Sequence, residues 1–382
     1  MSIINIDEKT RVVAEGTRRT MIPSENHIRI GIDAHVVTGK FQGTRTTLTN
    51  LLIALARLKP KHEIIIYTDD PDAAKVAIGP SPFSYRSLGH VGSIRRLLST
   101  FPKILKDDQI DVAVFQYNTP LFCRAKRVVF IHDILPITHP WFFPKIMRWR
   151  SHLFFTISML RAAKIIAISQ YTFKSIQDHC NIPVKKLTTV LNGPSFPPSS
   201  YQSNNNPPPE KFILAVGRIE SRKNIDLIID AFLMANVTGV NLYIIGSTDL
   251  GYNYKIPDDP RIKHLTGIDD NALINMYAKS SLFVFASSAE GFGIPLLDAL
   301  LFGIPCIASN RTAMAEIAND LAAMFDPDGS DSMLELANLI KGHFNDRPIA
   351  APSSSQRKEL YNRYNWDRAA SDFIQSIEKI DV

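Results

Sequence analysis

The sequence predicts an α/β protein built of two Rossmann-like domains facing each other across a cleft. Three observations predict it. A length of 382 residues exceeds what one ordinary core organises. Short apolar runs alternate with longer stretches of helical spacing, the pattern of a parallel sheet covered by helices. A stretch rich in Pro, Ser and Asn separates two halves that repeat this grammar.

Residues Met1 to about Asn26 form a polar arm with acidic residues and no apolar centre, so they do not resemble a signal peptide. HIRIGIDAH (27–35) reads as the first strand, and Thr46 to Leu58 carries apolar residues at helical spacing. HEIIIYTDD (62–70), DVAVFQ (111–116), RVVFIHD (127–133), KIIAIS (164–169) and TTVLNGP (188–194) read as further strands. PSFPPSSYQSNNNPPPE (194–210) has no periodicity and reads as a linker. Beyond it, KFILAVG (211–217), NLYIIGS (241–247), RIKHLTG (261–267), SLFVFAS (281–287) and PCIAS (305–309) are predicted strands. NIDLIIDAFLMA (224–235) and IPLLDALLFG (294–303) are predicted helices. A last helix is predicted over Ser354 to Ile380. The expected units are an arm (1–26), a first domain (27–205), a second domain (206–355) and a C-terminal helix (356–382) returning toward the first domain.

The 45% hydrophobic and 21% charged content is that of an ordinary globular protein. No run approaches the ~20 apolar residues of a membrane span; Leu153 to Ile168 is broken by Arg161 and Lys164. Cys123, Cys180 and Cys306 are dispersed and odd in number, which argues against a disulfide framework or zinc site and suits a reducing cytoplasm. Charge is uneven. Residues 1–205 hold 27 Lys and Arg against 14 Asp and Glu, while the remainder is acidic. A basic first half points to an anionic partner, either nucleic acid or an anionic membrane surface. SIRRLLSTFPKILK (93–106) and WFFPKIMRWRSHLFF (141–155) mix cations with apolar residues and suit an interfacial surface.

Ligands of such sheets bind beyond the carboxyl ends of the strands. The loop Gly217-Arg218-Ile219-Glu220-Ser221-Arg222-Lys223-Asn224 brings Arg218 and Lys223 to a helix N-terminus, where free N–H groups already favour anions. A diphosphate fits there. In Glu290-Gly291-Phe292-Gly293-Ile294-Pro295-Leu296-Leu297-Asp298, two carboxylates flank another helix start, and Gly291 and Gly293 permit close backbone approach. Asp298 interrupts the apolar run of Leu296, Leu297, Leu300 and Leu301. His132 ends a strand, and Gly39 and Gly43 follow the first strand.

The order of these elements resembles glycosyltransferase family 4, the retaining enzymes of GT-B fold. Four matches carry the resemblance: GIDAH with its following Gly loop, the IHD…P…HP stretch (131–140), GRIESRKN and EGFGIPLLDAL. AISQYT, VLNGP, SNRTAMAEIA and MFDPDG support it. The resemblance implies that Arg218 and Lys223 neutralise a donor diphosphate, and that Glu290 contacts the transferred sugar. Phe292, Gly293 and Ile294 would support phosphate and sugar through their backbone. Asp298 would bind the ribose hydroxyls, His132 would lie near the reacting centre, and Gly43 would lie under the phosphates. His132 and Glu290 are thus the expected catalytic residues. Two departures stand out. Asp298 replaces the family's usual Glu, and the Gly loop carries Arg45 where the family has a second glycine.

No cofactor or metal is expected; the nucleotide-sugar is a co-substrate. Asp70-Pro71-Asp72 and Asp326-Pro327-Asp328 spell a metal motif of another fold but read as turns. The pattern is most similar to bacterial exopolysaccharide and O-antigen mannosyltransferases. That implies a hexose, mannose from GDP-mannose first, passed to a lipid-diphosphate-linked oligosaccharide or similar glycan. The expected location is the cytoplasm, at the inner face of the membrane through the basic first domain, with no nucleic acid as partner. The alternatives are a non-hydrolysing UDP-sugar epimerase and a non-enzymatic nucleic-acid-binding protein.

Overall fold

The computed structural model describes residues 27–39, 43–201, 210–249, 252 and 254–381. The predicted arm, Met1 to Asn26, lies outside the described residues, as do 40–42 of the Gly loop and 202–209 of the linker.

Two wholly parallel sheets carry the molecule. The first contains β1 (Arg29–Asp33), β2 (Glu63–Thr68), β3 (Ser84–Ser87), β4 (Val112–Gln116), β5 (Lys126–Ile131), β6 (Lys164–Ala167) and β7 (Leu187–Thr189), in the order β3-β2-β1-β4-β5-β6-β7. The second contains β8 (Lys211–Val216), β9 (Val240–Ile245), β10 (Ile262–Leu265), β11 (Leu282–Phe285), β12 (Cys306–Ser309) and β13 (Ala323–Phe325), in the order β10-β9-β8-β11-β12-β13. Both orders reverse direction once, between β1 and β4 and between β8 and β11. These are the switch points where a doubly wound sheet opens a crevice. The central strands are buried on both faces, which is why they read as unbroken Ile, Val and Phe runs.

The sequence reading missed β3 and β13. Both are short edge strands, and SYRS offers no apolar run because one side of the strand faces water. The single predicted last helix is two, Ser354–Arg363 and Trp366–Glu378. Asn365 breaks it, its side-chain oxygen accepting from the Arg368 N–H at 2.8 Å as an N-cap. Tyr364 at the same corner is buried against Phe292. The second of these helices lies along the helix Gly43–Leu58 of the first domain, tied by an Arg57–Asp367 ion pair of 2.7 Å and by His62 beside Glu378.

The largest core runs without interruption from the first sheet, through these C-terminal helices, into the second. The segment after β7 joins them: Trp366 donates its ring N–H to the Pro194 carbonyl at 2.7 Å. Among the described residues no helix is long and apolar enough to cross a membrane.

Candidate functional site

The carboxyl ends of four strands supply the site. From the second sheet come the loop after β8, which tightens into a 3-10 turn at Ser221–Lys223, and the loop after β11, which leads into the helix Ile294–Phe302. From the first come Gln116, closing β4, and His132 and Asp133, just past β5.

Asn224 locks the two second-domain loops together. It sits in the left-handed region (φ 50°), and its amide donates to the Ala286 carbonyl at 2.9 Å and the Ser288 hydroxyl at 2.8 Å. Ser288 in turn donates to Asp328 at 2.6 Å. Held this way, Lys223 forms an ion pair with Glu290, and Arg222 reaches the other Glu290 oxygen at 3.0 Å. Arg222 also bonds Glu220 at 2.7 Å and the Ala289 carbonyl at 2.8 Å. Burial opposes charge on Glu290, but the two cations outweigh it and hold the carboxyl down at about 2. Burial pulls Lys223 below the usual amine range against the attraction of Glu290. For Arg222, Glu290, Glu220 and Asp133 outweigh burial and keep the guanidinium charged.

Across the cleft, His132 is buried and neutral. Burial lowers it to about 4. Its Nε2 lies 2.7 Å from Gln116 Oε1, and the buried Gln116 amide nitrogen has no partner among the described residues. Tyr117 donates to Asp133 at 3.1 Å and stands 5.3 Å from the His132 ring. Tyr117 has φ 60°, a left-handed conformation uncommon for a bulky residue and one that collects at functional sites. Burial raises Asp133 above the usual carboxylate range, against the pull of the Leu135 N–H and Arg222.

The two halves touch at Gly291. Ser169 donates to its carbonyl at 2.7 Å, and Thr172 donates to both this carbonyl and that of His132 at 3.2 Å. A Cβ on Gly291 would stand 2.0 Å from the His132 carbonyl oxygen, so only glycine permits this approach. Gly293 adopts φ 116° to turn the chain into the helix. The N–H groups of Phe292 and Gly293 carry no hydrogen bond among the described residues. Ile294 and the Phe292 ring are buried.

The structure thus brings Lys223, Glu290, Gly293 and His132 together. Three other expected residues stand apart from this cluster. The second cation at Glu290 is Arg222, because the 3-10 turn aims consecutive residues at it; Arg218 is half-buried without an ion pair or side-chain hydrogen bond among the described residues. Asp298 does not face open space. Its Oδ1 accepts from the Ser195 N–H and the Tyr201 hydroxyl, each at 2.8 Å, both from the stretch read as a linker. Gly43 opens the helix after β1 with free space around it, but its loop is only partly described. Gln116, Tyr117, Asp133 and Arg222 were missed; the position of Gln116 beside the β1/β4 switch point was the available signal.

The paired Asp motifs act as turns. Asp70 caps the helix Pro71–Ile78, and Asp326 grips Arg311 through two bonds of 2.9 and 2.6 Å.

Known proteins give this geometry a context. The O-antigen chain mannosyltransferase B of Escherichia coli is 26% identical over 292 residues, covering 70% of this chain and 74% of its own. The GDP-mannose:cellobiosyl-diphosphopolyprenol alpha-mannosyltransferase of Komagataeibacter xylinus is 26% identical over 241 residues, 58% of each chain. The serotype-specific mannosyltransferases WbdA of E. coli are longer, and the match spans 35% of their length. Anabaena Alr3699/HepE, solved in complex with UDP and glucose, superposes with a TM-score of 0.71 at 18% identity, covering 92% of this chain and 100% of its own. That likeness identifies the fold as GT-B. The Glycosyltransferase Family 4 model matches residues 41–195 and the Glycosyl transferases group 1 model matches residues 198–350. Together these matches run through both domains, and the chain belongs to the family 4, group 1 glycosyltransferases.

Proposed function

We propose that this glycosyltransferase moves mannose from GDP-mannose, with retention and without a metal, onto a lipid-diphosphate-linked oligosaccharide or similar glycan of a bacterial surface polysaccharide. One observation carries the reading: Lys223, Arg222 and Glu290 converge on a helix start directly across from His132 and Gln116. The names of the mannosyltransferase relatives supply the sugar and the kind of acceptor. Family membership displaces the epimerase and nucleic-acid-binding alternatives.

In this reading the diphosphate lies at the start of the helix Ile294–Phe302, against the N–H groups of Phe292, Gly293 and Ile294, with Lys223 and Arg218 supplying positive charge. The C1–O bond to the diphosphate breaks and its electron pair goes to the leaving phosphate oxygen. Fixed cations and N–H groups stabilise that charge as it develops, without reorganising. Glu290 holds the sugar hydroxyls and orients Lys223. The acceptor hydroxyl attacks C1 from the face the diphosphate leaves, and its proton passes to the departing phosphate oxygen. His132 and the unpartnered Gln116 amide line the sugar from the first domain. Asp298, whose Oδ1 is held by Ser195 and Tyr201, turns its other carboxylate oxygen to the ribose.

Thermal stabilisation by GDP, UDP, ADP, TDP, GDP-mannose and UDP-glucose tests the donor. A ligand near a hundred times its Kd stabilises by about 2.7 kcal/mol. GDP and GDP-mannose are expected to shift the melting temperature, and Arg218→Ala to lose the shift. No response to any nucleotide at millimolar concentration sinks the donor site. The anomeric configuration of the product, read by NMR, tests retention; inversion removes the same-face path.

A further inference from the structure

The helix Lys145–Arg161 has two apolar faces where packing in a monomer requires one. Phe155, Ser158 and Met159 turn inward, with Phe155 stacked on Tyr117 at 5.1 Å. On the opposite side Ile146 (74% exposed), Trp149 (67%), Leu153 (38%) and Leu160 (51%) face water. Their spacings of three, four and seven residues put them on one line along the helix. Trp141, just before the helix, is equally bare, at 68%. The helix end is tied to the loop before β5 by Arg161 donating to the Leu121 carbonyl at 3.1 Å, and Phe122, next in the chain, is exposed.

Charge selects the occupant. Between Ile134 and Gln177 the chain holds no Asp or Glu, while Lys145, Arg148, Arg150, Arg161, Lys164 and Lys174 are all basic. By helical angle, Arg150 and Arg161 border the apolar line on one side. A second copy of this face in a two-fold dimer would set cations against cations. A bilayer with anionic headgroups satisfies both features. The apolar line enters the acyl boundary, Trp rings settle at headgroup level, and the arginines pair with lipid phosphates.

We propose that the face formed by Ile146, Trp149, Leu153 and Leu160, with Trp141 and Arg150, docks on an anionic phospholipid bilayer. The inward face of the same helix reaches His132 through Phe155 and Tyr117, so the bilayer lies about one helix diameter, ~10 Å, beyond the Tyr117 side of the site. A lipid-linked acceptor could then be met without leaving its membrane. That purpose rests on the proposed function, whereas the docking is measured without donor or acceptor.

The test is co-sedimentation of the full chain with vesicles of phosphatidylethanolamine and phosphatidylglycerol, compared with phosphatidylcholine alone. The protein should pellet with the anionic vesicles and lose binding as salt rises. Tryptophan emission should shift to the blue; of the three tryptophans Trp366 is buried, so the shift reports Trp141 and Trp149. Ile146→Glu with Trp149→Glu should weaken binding roughly tenfold or more while melting temperature and nucleotide-induced stabilisation stay unchanged. Leu160→Glu provides a second variant at the other end of the line, and Arg150→Glu should reduce the salt dependence. The proposal is overturned by wild-type protein that stays in solution with anionic vesicles or by binding that survives these variants. It is also overturned by a wild-type dimer that Ile146→Glu with Trp149→Glu turns into a monomer. Vesicle binding without nucleotide stabilisation would instead remove the donor reading and leave the docking surface standing.

Discussion

Glu290 lies between Lys223 and Arg222, so removing its charge acts twice. Glu290→Gln should reduce transfer by about 100-fold or more. It also leaves the mostly buried Lys223 without its carboxylate and Arg222 with Glu220 alone, which should lower stability by about 3 kcal/mol in denaturant unfolding. Because Glu290 sits at about 2 in place of 4.5, its contribution is complete above about pH 4.5 and is lost as the pH falls toward 2. The difference between wild type and variant should shrink over that window. Asp298 has the opposite sign. Burial pushes it up to about 6 from 3.8, so its effect on stability worsens as pH rises between those values and stays unfavourable above them. Asp298→Asn keeps an oxygen for Ser195 and Tyr201 and should melt higher than wild type at pH 7 but not below pH 4. Asp298→Ala unpairs both donors and should cost about 1–3 kcal/mol. His132, neutral above about 4, should contribute no inflection to the pH–rate profile between about pH 5 and 8. Lys223 and Glu290 were legible from the sequence because charge at a helix start has few other uses. The partners of Asp298 were not, since Ser195 and Tyr201 belong to a segment without periodicity, and no local pattern announces a hydrogen bond spanning a hundred residues.

At the scale of elements, the central strands were legible because burial on both faces writes a continuous apolar run. β3 was not, since SYRS holds no apolar run, and β13 was not, since it is three residues long. The last helix illustrates a different limit. Its helical spacing continues across Tyr364 and Asn365, yet the chain turns there because the Asn365 cap and the buried Tyr364 ring outweigh local propensity. Asn365→Ala should therefore cost about 1 kcal/mol, read as a lower melting temperature. The segment Ser93 to Lys106, read as one amphipathic stretch, is helical throughout but widens into a π turn at Arg96–Thr100. Pro102, lacking an N–H, cannot complete the regular ladder just beyond it.

At the scale of the whole molecule, Gly291 sets how close the domains come. Gly291→Ala places a methyl group against the His132 carbonyl and should hold the domains apart. The expected result is lost transfer, a melting temperature near that of wild type and a larger radius of gyration in solution scattering. No change in radius or rate would mean that this contact does not govern closure. The far end of the interface is built differently. The chain passes between the domains twice, through the segment after β7 and back through Tyr364 and Asn365, and the two passages touch where Trp366 meets Gly193 and Pro194. The contacts are laid out like a jaw with one joint: the bite is at Gly291 and His132, and the pin is at Trp366. A rotation about that pin would part the bite with the Trp366 hydrogen bond intact, so Trp366→Phe, which removes that bond, should loosen the joint and raise the radius of gyration in solution scattering.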